Sequence, residues 1–373
     1  MRRSLIPLFS ILVAATAWSN EVDLYGDMGW GWRTEFDKEW TPANYFNQSL
    51  ELGTRIHLDE GVKIEAELSS YTTVLDSAGA AHRTPIYNGA GRLSSSIEPD
   101  VQLQGVRALW TIVPGATIGV GDQRYSAGNI RQSDQWREQN FYGSILSRRG
   151  VRGFLLQLSD FSGAIGVPWE SNPNRAKDKS LTLYGQYNIT AINNSDRSLL
   201  VVPVAEINVG NGRTRVWNFG VDLSYADAVL ERPYTIEGAV GYLDVATKPV
   251  WTFLVEPSIS LGMVSLGTSF YFATLNGDNT AERLAELEEL DLPVQMFATF
   301  EPMVTLHRKI ALGLPIAWNN PTIDQNGDEW STAGLALHLW PTRLVSSDVA
   351  VRYNLMPGAP DYWQIDLQAF LTF

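Results

Sequence analysis

Residues 362–373, which read YWQIDLQAFLTF, decide the fold of this 373-residue chain. Every second side chain from Trp363 to Phe373 is apolar, whereas the positions between them include Gln364, Asp366 and Thr372. A period of two is typical of a β-strand with one apolar and one polar face. The stretch is longer than most strands of water-soluble proteins, and it is close to the length that a tilted strand needs to cross a bilayer.

The same alternation recurs along most of the chain. It is clearest at 21–35, 50–58, 62–68, 106–112, 116–120, 217–225, 234–242, 255–261, 300–306, 335–339 and 349–355. Bacterial single-chain barrels have an even number of strands, and the segments predict one all-β, antiparallel transmembrane barrel of about 18 strands, or 16. Pro257 and Pro302 lie inside predicted strands, where proline cannot donate a ladder hydrogen bond, so we expect a β-bulge at each.

The connections between strands alternate between short and long. Tight turns follow Leu58, Ile112, Leu261 and Leu306, and long connections cover 36–47, 72–100, 123–150, 169–179, 275–294 and 319–328. This parity predicts short periplasmic turns at one end and long extracellular loops at the other, with every tight turn inside. Two aromatic girdles are expected at the membrane interfaces. The outer girdle would hold Trp32, Trp169, Trp217, Trp251, Trp318 and Trp363, and the inner girdle Trp110, Tyr225, Tyr234, Trp340 and Phe373.

The N-terminus predicts export from the cytoplasm. Arg2 and Arg3 precede an apolar run and a small-residue cleavage site, which indicates a signal peptide over 1–19, cut after Ala17 or Ser19. The barrel would then occupy 20–373. An apolar run long enough for a helical span is absent, and the charged fraction of 18% is below the usual value of about 25%. The chain contains no cysteine, which excludes disulfides, and its net charge of −13 argues against nucleic-acid binding.

The strand faces opposite the apolar residues carry many charges of both signs. We predict that they line the lumen. The proposed pore-lining residues on strands are Arg55, Lys63, Glu65, Arg107, Glu237, Glu256, Glu301, Arg352 and Asp366. Further residues predicted to face the lumen include Asp23, Arg33, His57, Asp222 and His338. So many charges are too costly for a dry core. A barrel of this size can hold water, so a polar passage is expected. The alternative is a lumen that these side chains fill with ion pairs. The segment 152–158 has apolar residues at both parities, and its inward face is not predicted.

The connection 123–150 carries the most specific sequence. If it folds into the barrel, Arg131, Asp134, Arg137 and Glu138 would set the field in the pore; if it folds outward, they are solvated loop charges. The spacing of Gln123-Arg124, Gly128, Arg131, Trp136-Arg137 and Gly150-Val151-Arg152 resembles a segment of the alginate-export-type channels. That resemblance implies an eighteen-stranded monomer passing anionic sugars or other small solutes. A short amphipathic helix is also predicted at 281–290.

A barrel strand ending on the aromatic Phe373 resembles the closing strand of Gram-negative outer-membrane porins. The resemblance implies recognition of that strand by the barrel-assembly machinery, contact with outer-membrane lipid and lipopolysaccharide, and passive passage of small hydrophilic solutes such as sugars or organic anions. A structural or adhesion barrel is the alternative. An outer-membrane hydrolase is disfavoured, because of the four histidines only His82 is predicted at the outer rim. We expect no catalytic residue, no cofactor and no metal.

Overall fold

The computed structural model describes most of the chain from Glu21 onward. The described residues are 21–36, 42–58, 61–75, 100–124, 150–169, 181–210, 213–229, 232–243, 249–274, 296–320, 330–355 and 361–373. The predicted signal peptide, most of the 123–150 connection and the predicted helix at 281–290 lie outside them. Within these ranges, no helix is long and apolar enough to cross a membrane.

The described residues form twenty strand segments in one antiparallel sheet. In chain order they are β1 (Glu21–Phe36), β2 (Pro42–His57), β3 (Val62–Leu75), β4 (Asp100–Val113), β5 (Ala116–Arg124), β6 (Gly150–Leu158), β7 (Phe161–Trp169), β8 (Leu181–Tyr187), β9 (Ile189–Asn193), β10 (Arg197–Gly210), β11 (Arg213–Val229), β12 (Arg232–Leu243), β13 (Val250–Leu261), β14 (Val264–Ala273), β15 (Met296–His307), β16 (Ile310–Gly313), β17 (Ile316–Asn320), β18 (Trp330–Leu339), β19 (Val345–Leu355) and β20 (Tyr362–Thr372).

The sheet closes on itself, because β1 pairs with both β2 and β20. At the closure the backbone N–H of Gly26 donates to the carbonyl of Phe373 at 2.9 Å, and the N–H of Phe373 donates to the carbonyl of Gly26 at 3.0 Å. Two consecutive segments, β8 and β9, both pair with β10 and therefore form one interrupted barrel strand. In the same way β16 and β17 both pair with β15 and with β18, and they form a second interrupted strand. Among the described residues the barrel therefore has eighteen strands, which confirms the prediction.

The two faces of the wall differ in chemistry as the alternation predicted. Large apolar side chains cover the outer face, and examples are Trp32 at 48% exposed, Phe154 at 67% and Val255 at 45%. The intervening positions point into the barrel, and many are buried and polar, including Glu65, Asp222, Glu256, Arg352 and Asp366. In a soluble protein this apolar outer belt would be unfavourably hydrated, whereas lipid accommodates it.

One connection departs from the predicted parity. Most of the tight turns lie at the end of the barrel where β1 begins and β20 ends, as expected. However, only residues 211–212 separate the paired positions Gly210 and Arg213, and this connection lies at the opposite end, among the long loops. The expectation that every tight turn lies at the same end is therefore wrong. The register also shifts between Asn208 and Gly210, so a bulge precedes this connection.

The two prolines do not produce bulges, so that prediction is also wrong. Pro257 keeps its register with β12, and the β13–β14 register is the same on either side of it, although Glu256 and Pro257 have no paired partner on β14. Opposite Pro302, the neighbouring strand is interrupted at Leu314 and Pro315. Leu314 N–H still donates to the Pro302 carbonyl at 3.0 Å. The missing proline donors thus remove hydrogen bonds without inserting a residue.

The aromatic girdles are present in part. Trp32, Trp217, Trp251 and Trp363 are exposed on the outer face toward the long-loop end, and Trp110 and Phe373 are exposed toward the other end. Trp340 differs, because its ring stacks on the buried interior side chain of His338 with 5.9 Å between ring centroids. Trp340 therefore belongs to the interior wall and not to the inner girdle.

Candidate functional site

A cluster of three cations around one carboxylate lies on the interior face of β2, β3 and β4. Arg55, Glu65 and Arg107 occupy directly paired positions on the three strands. Glu65 Oε1 accepts from Arg55 Nε at 2.9 Å and lies 2.7 Å from Lys63 Nζ, and Glu65 Oε2 accepts from the Arg107 guanidinium. The Glu65 side chain is 3% exposed, whereas the three cations are 30–38% exposed. The carboxylate is therefore surrounded, and the cations keep part of their surface toward the lumen.

Local backbone features position Arg107. The β3–β4 register shifts between Glu65 and Glu67, which marks a bulge next to the cluster. Gly121 on β5 pairs with Arg107 and has a φ of +124°. A Cβ at Gly121 would lie 2.2 Å from the Val106 carbonyl oxygen. Only glycine allows this close approach. On the other flank, the Arg55 guanidinium lies 5.1 Å from the centroid of the Tyr25 ring, a cation–π arrangement.

A second network closes the barrel between β19, β20 and β1. Asp366 accepts from Arg33 Nε at 2.8 Å, from Arg352 Nη1 at 2.7 Å and from Gln364 Nε2 at 2.7 Å. Asp366 and Arg352 are each 5% exposed as side chains. Because two of these donors are charged and the third is an amide, this buried carboxylate is well compensated.

A third network joins β15, β18 and β19. His338 Nδ1 lies 2.7 Å from Asp348 Oδ1, and His338 Nε2 lies 3.2 Å from Glu301 Oε1. The short segment β16 runs between the two strands that carry Glu301 and His338. A Cβ at Gly313 on β16 would lie 2.6 Å from the Glu301 carboxylate oxygen and 3.0 Å from His338 Nε2. The glycine therefore leaves the space in which these two side chains meet.

Acidic residues dominate the interior face from β10 to β15. Glu237 and Glu256 occupy paired positions on β12 and β13 and are 6% and 5% exposed. Hydroxyl groups support them: Ser224 Oγ donates to Glu237 at 2.9 Å, and Ser269 Oγ donates to Glu256 at 2.7 Å. The same face includes the buried carboxylates of Glu206, Asp222 and Glu301. Among the described side chains that face the interior on β10 to β14, there is no Lys or Arg. The negative charge of this arc therefore lies across the barrel from the cations of β2–β4.

An apolar strip separates the two charged arcs on one side. Val151, Ala164, Tyr184, Val202 and Val204 form a buried cluster on β6, β7, β8 and β10, and Leu155 and Leu200 pack against it. The inward residues of 152–158, which alternation did not predict, therefore include Leu155, while Phe154, Leu156 and Leu158 are exposed outside. Sequence reasoning missed this strip because both faces are apolar there. It also missed the interior carboxylates Glu206 and Asp348.

Within the described residues, the predicted pore-lining residues that lie on strands belong to several separate networks. Arg55, Lys63, Glu65 and Arg107 meet in one cluster, Arg352 and Asp366 in another, and Glu237 and Glu256 lie side by side. Glu301 joins His338 instead. Arg131, Asp134, Arg137 and Glu138 lie outside the described residues. No group of three His, Cys, Asp or Glu side chains within the described ranges has the geometry to hold a metal ion.

An antiparallel eighteen-stranded barrel with an apolar exterior and a charged interior is the architecture of outer-membrane porins. Solved structures with this fold match nearly the whole chain. OpdK from Pseudomonas aeruginosa, solved with vanillate, has a TM-score of 0.55 at 10% identity, and the match covers 94% of this chain and 98% of OpdK. OccK5 (OpdH) from the same organism has a TM-score of 0.57 at 9% identity, covering 95% and 99%. OccAB4 from Acinetobacter baumannii has a TM-score of 0.54 at 8% identity, covering 95% and 98%.

These likenesses establish the fold. No protein-family profile matches the chain. No curated protein matches it by sequence. The chain therefore has the outer-membrane porin fold, and its substrate must be argued from its own interior side chains.

Proposed function

We propose that the chain is a channel of the bacterial outer membrane through which small hydrophilic organic anions pass passively. The observation that carries the proposal is the Glu65 cluster. Three cations surround one buried carboxylate, and each cation keeps about a third of its side-chain surface exposed toward the lumen. A carboxylate on a solute can take bidentate hydrogen bonds from an arginine guanidinium while the solute passes.

Positive side chains that face the lumen favour anions over neutral solutes. Vanillate, with which OpdK was solved, is a small aromatic carboxylate. We expect the Glu65 cluster to favour such carboxylates, sugar acids included, over neutral sugars.

The exterior supports placement in the outer membrane. Its apolar belt would contact lipid, with lipopolysaccharide around the long-loop end and phospholipid around the short-turn end. We propose export by the signal peptide at 1–19, cut after Ala17 or Ser19, and insertion guided by the closing strand that ends at Phe373. The tight turns would then face the periplasm.

A hydrolytic function is less well supported by the histidines in the described ranges. Both ring nitrogens of His338 are engaged by carboxylates, so neither faces a nucleophile. His57 lies 3.3 Å from Asp23, both side chains being about half exposed. General-base catalysis needs a hydrogen bond between the base and a nucleophile or water.

Planar-bilayer recording of the purified full chain tests the function. We expect stepwise single-channel conductance, inhibited by a small aromatic carboxylate added in excess. We also expect a gradient of this carboxylate to shift the reversal potential, which shows its passage. An equal gradient of a matched uncharged alcohol should leave the reversal potential unchanged. A preparation that is folded and inserted but gives no steps would instead support the structural or adhesion barrel.

A further inference from the structure

Two neighbouring turns at the short-turn end of the barrel carry three basic residues. Arg308 and Lys309 form the turn between β15 and β16, and Arg343 lies in the turn between β18 and β19. The turns are hydrogen-bonded to each other. Trp340 N–H donates to the Lys309 carbonyl at 2.9 Å, and Lys309 Nζ donates to the Pro341 carbonyl at 2.5 Å. The two turns therefore act as one surface, which we call the basic rim.

The turn that carries Arg343 is held in shape. Thr342 Oγ1 accepts from the N–H groups of Leu344 at 3.2 Å and Val345 at 3.1 Å, and Leu344 in turn accepts from Thr372 N–H at 2.8 Å. A hydroxyl that caps its own turn reduces the conformations open to the backbone. The position of Arg343 beside the other turn is thus built into the fold.

The basic rim carries more positive than negative charge within the described residues, although the terminal carboxylate of Phe373 lies near the Arg343 turn, where Thr372 N–H donates to the Leu344 carbonyl. All three side chains are exposed, and neither turn, nor the strand residues next to it over 302–313 and 339–347, contains an acidic residue. The contrast with Arg197, at the same end of the barrel, is clear, because Arg197 pairs with Asp227 at 3.1 Å. Two other turns at this end carry Asp160 and Asp196. In a chain with a net charge of −13, this local positive surplus favours an anionic partner.

The depth of the basic rim in the membrane follows from its apolar neighbours. Leu306, just before Arg308, and Leu344, just after Arg343, are each 55% exposed. Leucines exposed at the edge of the apolar belt are accommodated by hydrocarbon, and long basic side chains beside them reach the headgroups. This places the three cations at the level of lipid phosphates.

We infer that Arg308, Lys309 and Arg343 bind the phosphate of an anionic phospholipid in the leaflet at the short-turn end. The inference depends on the proposed outer-membrane placement and orientation, but not on what the channel transports. Phospholipid is preferred to lipopolysaccharide because the short turns of such barrels face the periplasm.

Native mass spectrometry of the full chain in detergent tests this site. Phosphatidylglycerol, phosphatidylcholine of the same acyl chains, and lipid A are added separately, and bound copies are counted. We expect phosphatidylglycerol to be retained over phosphatidylcholine. Replacing two cations with the variant Arg308→Gln/Arg343→Gln should weaken this preference about 30-fold. Lys309 is kept because it hydrogen-bonds the neighbouring turn.

The matched control is Arg197→Gln/Arg232→Gln, which removes the same charge from the same end of the barrel. It should leave the preference unchanged. Three results would overturn the inference. The unmodified chain could retain the two phospholipids equally, both double variants could lose the preference equally, or lipid A could be retained more tightly than phosphatidylglycerol. Bilayer recording of the same preparations separates the proposed channel function from the proposed lipid site. If conductance is absent but phosphatidylglycerol is still preferred, only the channel function is refuted.

Discussion

Glu237 and Glu256 face each other at paired positions on adjacent strands, with both carboxylates buried in the barrel wall. Like charges at directly opposed strand positions destabilise a sheet. Each carboxylate has a serine hydroxyl donor, but no described cation lies on this arc to offset the second charge. This pair therefore costs stability, which is consistent with a role in the lumen.

The variant Glu256→Gln should raise the free energy of unfolding by up to about 1 kcal/mol, because it removes the repulsion and keeps an oxygen that can accept from Ser269. It should also make the channel less permeable to cations. Guanidinium unfolding in lipid vesicles and reversal potentials measure the two effects. Ser269→Ala, which removes only the hydroxyl donor, is the control and should not stabilise the barrel. A destabilised Glu256→Gln variant would contradict the prediction.

Removal of two cations from the Glu65 cluster should shift ion selectivity. In Arg55→Gln/Lys63→Gln, Arg107 still pairs with Glu65, so the barrel should fold. Two of the three positive charges are lost, and we expect the reversal potential in a salt gradient to move toward cation preference. Arg197→Gln/Arg232→Gln, which lies at the rim, is the matched control. If both double variants give the same reversal potential as the unmodified channel, the cluster does not act on permeating ions.

Gly313→Ala tests the space between Glu301 and His338. The added methyl group would lie 2.6 Å from the Glu301 oxygen, so the Glu301 carboxylate must shift, and we expect its contact with His338 to be lost. We expect a loss of about 1–3 kcal/mol in the free energy of unfolding. Gly267→Ala on β14 is a suitable control, because a Cβ at Gly267 has no neighbour within 4 Å. Equal stability of the two variants would show that the contact is not important.

Asp366→Asn should weaken the closure between β20 and β1. The substitution leaves Arg33 and Arg352 without their shared carboxylate in a buried site, at a cost of about 3–5 kcal/mol. Refolding into lipid vesicles, followed by a gel-mobility assay for the closed barrel, measures the effect. Asp23→Asn on β1 removes a carboxylate that is 45% exposed and should change little. The prediction fails if Asp366→Asn refolds as completely and as stably as Asp23→Asn.

The loop charges remain a prediction from the sequence. If the 123–150 connection folds into the lumen, Arg131→Gln/Arg137→Gln changes ion selectivity, because both charges would then lie beside the ion path. The reversal potential in a salt gradient measures this. Unchanged selectivity, with conductance retained, would mean that the loop does not line the pore.

The sequence predicted that Arg55 and Glu65 face the same side of the wall, but not that they are in contact, and the reason is geometric. A tight turn after Leu58 fixes the register of its two strands, and period-two alternation then places Arg55 and Glu65 on one face. His338 and Glu301 are also on the predicted face, but their contact depends on an intervening strand that is interrupted at Pro315 and has a glycine at 313. No local pattern indicates that arrangement. The inward direction of Val151 and Leu155 was equally hidden, because residues on both sides of that strand are apolar.

The separation of interior charges has a consequence for how molecules travel. Cations on β2–β4 and carboxylates on β10–β15 lie on opposed arcs of the closed wall. Between them the electric field runs across the axis, and it exerts a torque on any permeant that has a dipole. A rod-like solute with charge at one end would rotate on entry and advance broadside, so its width as well as its length would govern its rate of passage.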